Sequence, residues 1–387
     1  MPSWFARLTG GPRYPPRRNR EGKLELTNAH GRKTVAAGIP EGFRPVQPGR
    51  IGPGGRCANR DGIPPLEVSA TTRSSFSATL RSMPPSLQAF LILFVAGALL
   101  RLSGILTKHH AERLGLFVFS VSLPATILVS LDRVAFAPTA WKVPLAACLL
   151  TLSLVLASWL LVRLLHLARP TQGGFLLAVG CINSVYFAYP VALATFGEEG
   201  LAQAILFDLG QTMFTLTALY ALAAWHGTAS PSAGSSLTRL LKSPPFWAMT
   251  IMLAMKGAGL HLPSWLHDLL TPVHLTTTPL ASLVLGLSIS FEAVRKTWPL
   301  TLLGVALRMG GGLLLGWTVA WLLNLTGLER AVVILIAAMP SAVTAVIFAT
   351  ETGLDEDLVA SIVALSICLG VALLPWLPQL AALLAGR

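Results

Sequence analysis

Residues 173–196 form an apolar stretch long enough to cross a bilayer, but its middle reads Cys181-Ile182-Asn183-Ser184-Val185-Tyr186-Phe187-Ala188-Tyr189-Pro190. A plain membrane span is unbroken aliphatic sequence; this one carries an amide, a hydroxyl, two phenols and a proline at mid-depth. Proline lacks a backbone N–H and its ring clashes with the carbonyl four residues back, so the helix is expected to open between Tyr186 and Pro190. Opened backbone in hydrocarbon is tolerated only where it is buried in protein or faces a watery cavity. A second interruption lies far downstream, at Ala337-Ala338-Met339-Pro340-Ser341-Ala342. Two discontinuous helices in corresponding halves of a polytopic chain point to the binding site of a carrier.

The composition agrees with a membrane chain. Hydrophobic residues are 53% and charged residues 12% of the sequence, against about 25% charge in soluble domains. The net charge of +12 is concentrated at the N-terminus. Residues 1–82 hold 14 Lys+Arg and 5 Asp+Glu, a net of +9, leaving 15 and 12, a net of +3, for residues 83–387. This basic tail is rich in Pro, Gly, Arg and Ser and is expected to be disordered. Its Arg- and Ser-rich, acid-poor character resembles a transit peptide, although Pro and Gly spoil amphipathicity. Alternatively Met83, which opens directly into the first apolar segment, is the native start. A basic pI invites a nucleic-acid reading, which the polytopic body disfavours. The four cysteines, Cys57, Cys148, Cys181 and Cys368, form no CxxC pair, so neither a disulfide framework nor a metal site is expected.

Ten apolar segments follow the tail: 87–106, 114–131, 143–165, 173–196, 201–225, 246–260, 269–289, 299–323, 331–350 and 358–380. Most approach the roughly 20 residues that a spanning helix needs. Lys and Arg are denser in the loops after odd-numbered segments, which places those loops in the cytoplasm and both termini outside. The expected location is the inner, or plasma, membrane. A basic tail on the outside fits this orientation poorly. The polar connection 229–242 divides the chain into 83–228 and 243–387, five segments each. An odd number of spans per half turns the second half upside down relative to the first. The halves echo one another: Gly197-Glu198-Glu199-Gly200-Leu201 follows the fourth segment and Thr350-Glu351-Thr352-Gly353-Leu354 the ninth. The expected fold is therefore an all-α polytopic membrane protein, with ten transmembrane helices as two inverted five-helix repeats and with helices 4 and 9 broken.

The residues around the second interruption, Ala337-Ala338-Met339-Pro340-Ser341-Ala342-Val343 running to Val346-Ile347-Phe348-Ala349 and then Gly353-Leu354-Asp355, resemble the auxin efflux carrier family of secondary transporters. Asn183 followed by Pro190, Phe196-Gly197 and Gly200-Leu201 support the resemblance, as do Ser243-Pro244-Pro245-Phe246-Trp247-Ala248, Pro279-Leu280-Ala281 and Arg308. It covers about residues 87–380. It implies helices four and nine crossing at a central X, a scaffold formed by segments 1, 2, 6 and 7, and a transport domain formed by segments 3–5 and 8–10. Elevator-like movement and a homodimer are implied with it. The second proline of the plant-type ninth segment is replaced here by Thr344, a departure at the crossover.

Within that frame each polar residue has a chemical assignment. Asn183 offers a donor and an acceptor at the first break, where a carboxylate also meets the positive end of a half-helix. Ser184 and Tyr186 are its neighbours, while Ser341 and Thr344 flank the second break. Pro190 and Pro340 form the helix crossover. Arg308 is the one cation well inside a segment, placed to pair with an anionic substrate or with Asp208. Asp208 is the one acid clearly inside a segment and a candidate to carry a coupled ion. His109-His110 with Glu112 lacks metal-protease spacing and reads as a solvated loop.

The expected function is secondary transport of small organic anions, mono- or dicarboxylates such as malonate or malate, with H⁺ or Na⁺ as coupling ion. No cofactor, no enzymatic activity and no nucleic-acid partner is expected. A sodium-coupled bile-acid-type symporter and a non-transporting membrane sensor are the alternatives.

Overall fold

The structure, a computed structural model, describes residues 83–134, 138–229, 241–288 and 298–376, together with residue 238 and three short strands near the N-terminus. The connection 229–242 and the loop carrying Arg295 and Lys296 lie mostly outside the described residues, as does most of the basic tail. In the tail, β1 (Arg17–Arg18), β2 (Leu24–Thr27) and β3 (Lys33–Val35) pair antiparallel in that order. Thr and Val in these strands favour extended backbone.

From Pro85 onward the elements are helices. They are α1 (Pro85–Leu102), α2 (Lys108–Phe117), α3 (Leu123–Arg133), α4 (Lys142–Leu164), α5 (Arg169–Gly180), α6 (Tyr189–Phe214), α7 (Tyr220–His226), α8 (Pro244–Gly257), α9 (Ser264–Leu287), α10 (Trp298–Val305), α11 (Gly312–Leu322), α12 (Gly327–Ala337), α13 (Thr344–Thr352) and α14 (Glu356–Leu373). Single wide π turns splice α2 to α3, α6 to α7 and α10 to α11, and another, Ser184–Ala188, leads into α6. Proline sits in the first turn of α1, α5 and α8, where no intrahelical N–H bond is lost.

Among the described residues, seven continuous helices are long and apolar enough to cross a membrane: Pro85–Leu102, His109–Arg133, Lys142–Leu164, Ser184–His226, Ser264–Leu287, Trp298–Leu322 and Glu356–Leu373. The expected ninth segment is absent from this set because it is split into α12 and α13, and the fourth is not a span by itself because it is split after α5, its second part running on into the Ser184–His226 helix. The sixth is absent because α8 has only 14 residues. The Ser184–His226 helix itself bends at Gly197, whose φ of 70° and ψ of −160° are not helical. Gly353, at the end of α13, also has φ 70°. Both are conformations that side chains with a Cβ adopt only under strain. The two acidic turns recognised in the sequence are thus both turns built on a left-handed glycine.

Large apolar side chains such as Ile92, Leu160, Leu314 and Trp321 are exposed, as a bilayer-facing surface requires. Trp141, Trp225, Trp247, Trp265, Trp298 and Trp376 are exposed at or near helix ends, where an interfacial belt would sit. The helices pack in two groups. In one, α9 lies along α1 and α3, and α8 along α3. In the other, α4 packs on α5, α6 and α11; α12 packs on α6 and α11; and α14 packs on α5, α10 and α13.

Candidate functional site

The centre of the molecule is the place where the two interrupted segments meet. α5 ends at Gly180 and the chain then runs extended through Cys181, Ile182 and Asn183. α12 ends at Ala337, and Met339, Pro340 and Ser341 follow in non-helical backbone. These two open strands cross as a short antiparallel bridge between Ile182 and Ser341. The Asn183 amide donates to the Pro340 carbonyl at 2.9 Å and the Ala342 amide to the Cys181 carbonyl at 3.0 Å. Each interruption therefore supplies the hydrogen bonds that the other has lost, which removes the main cost of unwinding a helix away from water.

The first break lies N-terminal to its expected position. Pro190 is in the first turn of α6 rather than at the opening. The reason is the π turn before it: the Ala188 amide bonds back to the Asn183 carbonyl and the Tyr189 amide to the Ser184 carbonyl, five residues away in each case. That wider pattern accommodates a residue with no N–H without breaking the helix. Pro340, by contrast, sits within the second opening, as expected.

Side chains lock the crossing. Asn183 is buried, and its Nδ2 donates to the Ser341 carbonyl at 3.4 Å. The Ser341 hydroxyl donates to the Ala178 carbonyl of α5, and the Ser341 amide donates to Ser366 Oγ of α14 at 3.0 Å. Pro340 and Met339 border an apolar cavity of about 380 Å³ that Phe187, Met309 and Gly370 also line. Thr344 opens α13 with its side chain exposed, so it stands apart from the locked group.

A polar cluster adjoins the first break. Ser184 Oγ donates to Gln211 Oε1 at 3.2 Å, and Gln211 Nε2 donates to the Ile182 carbonyl at 3.2 Å. The Tyr189 hydroxyl donates to Asp208 Oδ2 at 3.3 Å, and Ser184 and Thr212 also face that carboxylate. The Tyr186 hydroxyl reaches across to the Gly115 carbonyl of α2 at 3.4 Å, in the other helix group. Gln211 and Tyr189 were not singled out in the sequence as site residues. Gln211 was detectable in principle, because Asp208, Gln211 and Thr212 share one helix face.

Arg308 does not pair with Asp208. Its side chain is fully buried in the π turn Ala306–Gly311. Nε donates to the Met339 carbonyl at 3.1 Å, Nη1 to the Val179 carbonyl at 3.1 Å and Nη2 to the Ala337 carbonyl at 2.6 Å. The two residues are thus on different duties: Asp208 faces hydroxyls, Arg308 faces carbonyls.

A second polar group links the two helix groups at the Gly197 turn. Glu198 Oε2 accepts from Ser130 Oγ at 3.3 Å, while Oε1 lies 3.5 Å from His274 Nε2 and 3.7 Å from Arg133 Nη1. His274 is buried, with its Nδ1 3.2 Å from Thr126 Oγ1. No spacing in the sequence connects Glu198 with His274, which belong to different halves. His109, His110 and Glu112 are exposed, and His110 Nδ1 contacts Thr107 at the start of α2. Among the described residues no three His, Cys, Asp or Glu side chains converge as metal ligands.

Comparison with known proteins agrees with this architecture. Residues 82–377 match the family described as membrane transport protein. The chain is 30% identical over 293 residues to an uncharacterized transporter of Methanothermobacter thermautotrophicus, covering 74% of this chain and 94% of that protein. It is 30% identical over 278 residues to an uncharacterized transporter of Methanocaldococcus jannaschii, covering 70% of this chain and 90% of the relative. A multi-pass chain whose interrupted helices repair one another, matched end to end by this family over its helical body, belongs to the membrane transport proteins of the auxin efflux carrier family.

Proposed function

We propose that this protein is a secondary transporter that moves small organic anions, mono- or dicarboxylates, through a site at the helix crossing. The observation that carries the reading is the antiparallel bridge between Ile182 and Ser341. It brings four half-helix ends to one point: the C-termini of α5 and α12, and the N-termini of the helices that begin at Ser184 and Thr344. Helix N-termini favour anions and C-termini cations. Arg308 occupies the C-terminal side, so the uncompensated field at the crossing is positive, which suits a carboxylate. Asn183, Ser184 and Tyr186 offer polar contacts on the first side; on the second, Ser341 is left with only the acceptor capacity of a hydroxyl that already donates to Ala178, and Thr344 is exposed at the start of α13. Arg308 acts on the substrate through this field.

The wider reading is of ten transmembrane segments in two inverted five-helix repeats, in an inner-membrane protein with both termini outside. The two packing groups favour elevator-type alternating access, with the α1, α2, α3, α8 and α9 group as scaffold, in a homodimer. Asp208, a carboxylate in a membrane segment whose contacts are hydroxyls, is the candidate proton carrier.

The test is uptake of a panel of labelled carboxylates into proteoliposomes under imposed pH or sodium gradients. At least one acid should accumulate, driven by the pH gradient. Asn183→Ala should abolish that uptake while the protein still inserts and purifies as wild type does. Unchanged transport by this variant removes Asn183 from the site, and binding without uptake identifies a sensor instead.

A further inference from the structure

We propose that Arg308 is a permanently tethered cation, standing where a carrier of this design would otherwise bind a coupling metal ion, and that it makes the protein independent of sodium. The inference rests on the reading of the chain as a carrier and addresses its energy source. In carriers with discontinuous helices, unwound carbonyls and half-helix C-termini are the groups that hold the coupling cation. Here three of those groups are already used. Val179 is in the last turn of α5, Ala337 ends α12 and Met339 lies in the opening beyond it. Their carbonyls belong to two different broken helices, and one guanidinium bonds all three.

The charge balance supports the same conclusion. Among the described residues no acidic side chain forms an ion pair with Arg308, which is fully buried. A buried cation without a counter-ion carries a large desolvation penalty. The available compensation is the negative ends of two helix dipoles and their orphan carbonyls. The local backbone makes room for this. Gly312 follows the π turn, and a Cβ there would run into the Ala337 carbonyl and come within 3.1 Å of Arg308 Nη2. A guanidinium remains charged at any physiological pH and cannot leave its chain. The cation at this crossing therefore neither binds nor dissociates during a transport cycle, and a sodium gradient has nothing there to act on.

The experiment compares wild type, Arg308→Lys and Arg308→Ala in lipid at constant ionic strength, with sodium, potassium, choline or low-millimolar guanidinium as the chloride salt. Thermal unfolding and proteoliposome uptake are both read. Wild type should show the same Tm in sodium, potassium and choline, and uptake should differ by less than about twofold between sodium and potassium, well under the tenfold of 1.4 kcal/mol. Arg308→Ala should have a lowered Tm and lose uptake, and guanidinium but not choline should restore both, as a ligand bound only to the folded state does. Arg308→Lys should fall between. A sodium-specific rise in wild-type Tm or uptake overturns the proposal. So does an Arg308→Ala protein that is stable and active without added cation, or one that guanidinium fails to rescue. Should the alanine variant not fold at all, the wild-type sodium comparison decides alone. Absence of uptake for every acid tested defeats the carrier reading but leaves the Tm comparison valid.

Discussion

The two interruptions at the crossing share a backbone design but differ in what surrounds them. Around the first, Ser184, Gln211, Tyr189 and Asp208 form a connected polar cluster. Around the second, Met339 and Pro340 face an apolar cavity, and the polar atoms of Ser341 are spent on the Ala178 carbonyl and on Ser366. One opening is chemically rich, the other mechanically tied. The asymmetry continues into the turns beyond them. The Gly197 turn reaches, through Glu198, to Ser130, Arg133 and His274 of the opposite helix group. The Gly353 turn is fastened within its own group: the Asp355 amide bonds to the Pro170 carbonyl, and Thr171 donates to Asp355 Oδ2 at 2.9 Å. The two openings thus share a main-chain pattern and differ in the duties of their side chains.

The most severe test of that division is Ser341→Val. It deletes a buried hydroxyl bond and adds bulk at a fully buried position, so a loss of about 2–4 kcal/mol is expected, read as reduced thermal stability together with lost uptake. If Ser341→Val leaves stability intact, the second opening is not the mechanical one. The next largest effect separates the two glycine turns. Gly197→Ala should cost about 1–3 kcal/mol from backbone strain alone, because its conformation is one that only glycine adopts easily and nothing lies near the added methyl. Gly353→Ala should lose about 1 kcal/mol from φ, plus the cost of displacing Thr228 Oγ1, which crowds the new Cβ. Thermal denaturation of both variants in the same lipid makes the comparison.

Ser184→Ala sharpens the contrast from the other side. It should reduce stability by only about 1 kcal/mol, yet depress uptake by roughly tenfold or more if a contact worth about 1.4 kcal/mol to the substrate is lost. Equal losses in stability and uptake would erase the distinction between the two openings. The smallest stability effect is expected for Glu198→Gln, since partly exposed ion pairs contribute at most about 1 kcal/mol. Its informative readout is the uptake rate, which should change if the Glu198 contacts must break for the helix groups to move past one another. An unaltered rate would make them incidental.

Much of the architecture was legible in the sequence because its signals are coarse: apolar segments of spanning length, and proline with polar residues at mid-depth. The second opening lies where the sequence places it, because Pro340 sits within non-helical backbone and no π turn absorbs it. The first was placed too far along because proline was read as the breaker. The π turn that absorbs Pro190 is a hydrogen-bonding choice that composition does not encode. Asp208 was visible as the one acid within a segment. The three carbonyl partners of Arg308 were not, since backbone atoms have no signature in a sequence and Val179 and Ala337 are ordinary apolar residues. The Glu198–His274 contact was hidden for a different reason: it joins two halves of the chain that only the folded packing brings together.

The bridge between Ile182 and Ser341 also bears on how such a chain is made. Until the residues near 340 have been synthesised, the Asn183 amide and the Cys181 carbonyl lack the partners they have in the folded chain, and each group left unpaired away from water costs several kcal/mol. The N-terminal half alone therefore leaves one amide and one carbonyl unsatisfied at its break. The polypeptide becomes self-sufficient only late in translation, when its second half arrives to close the wound in the first.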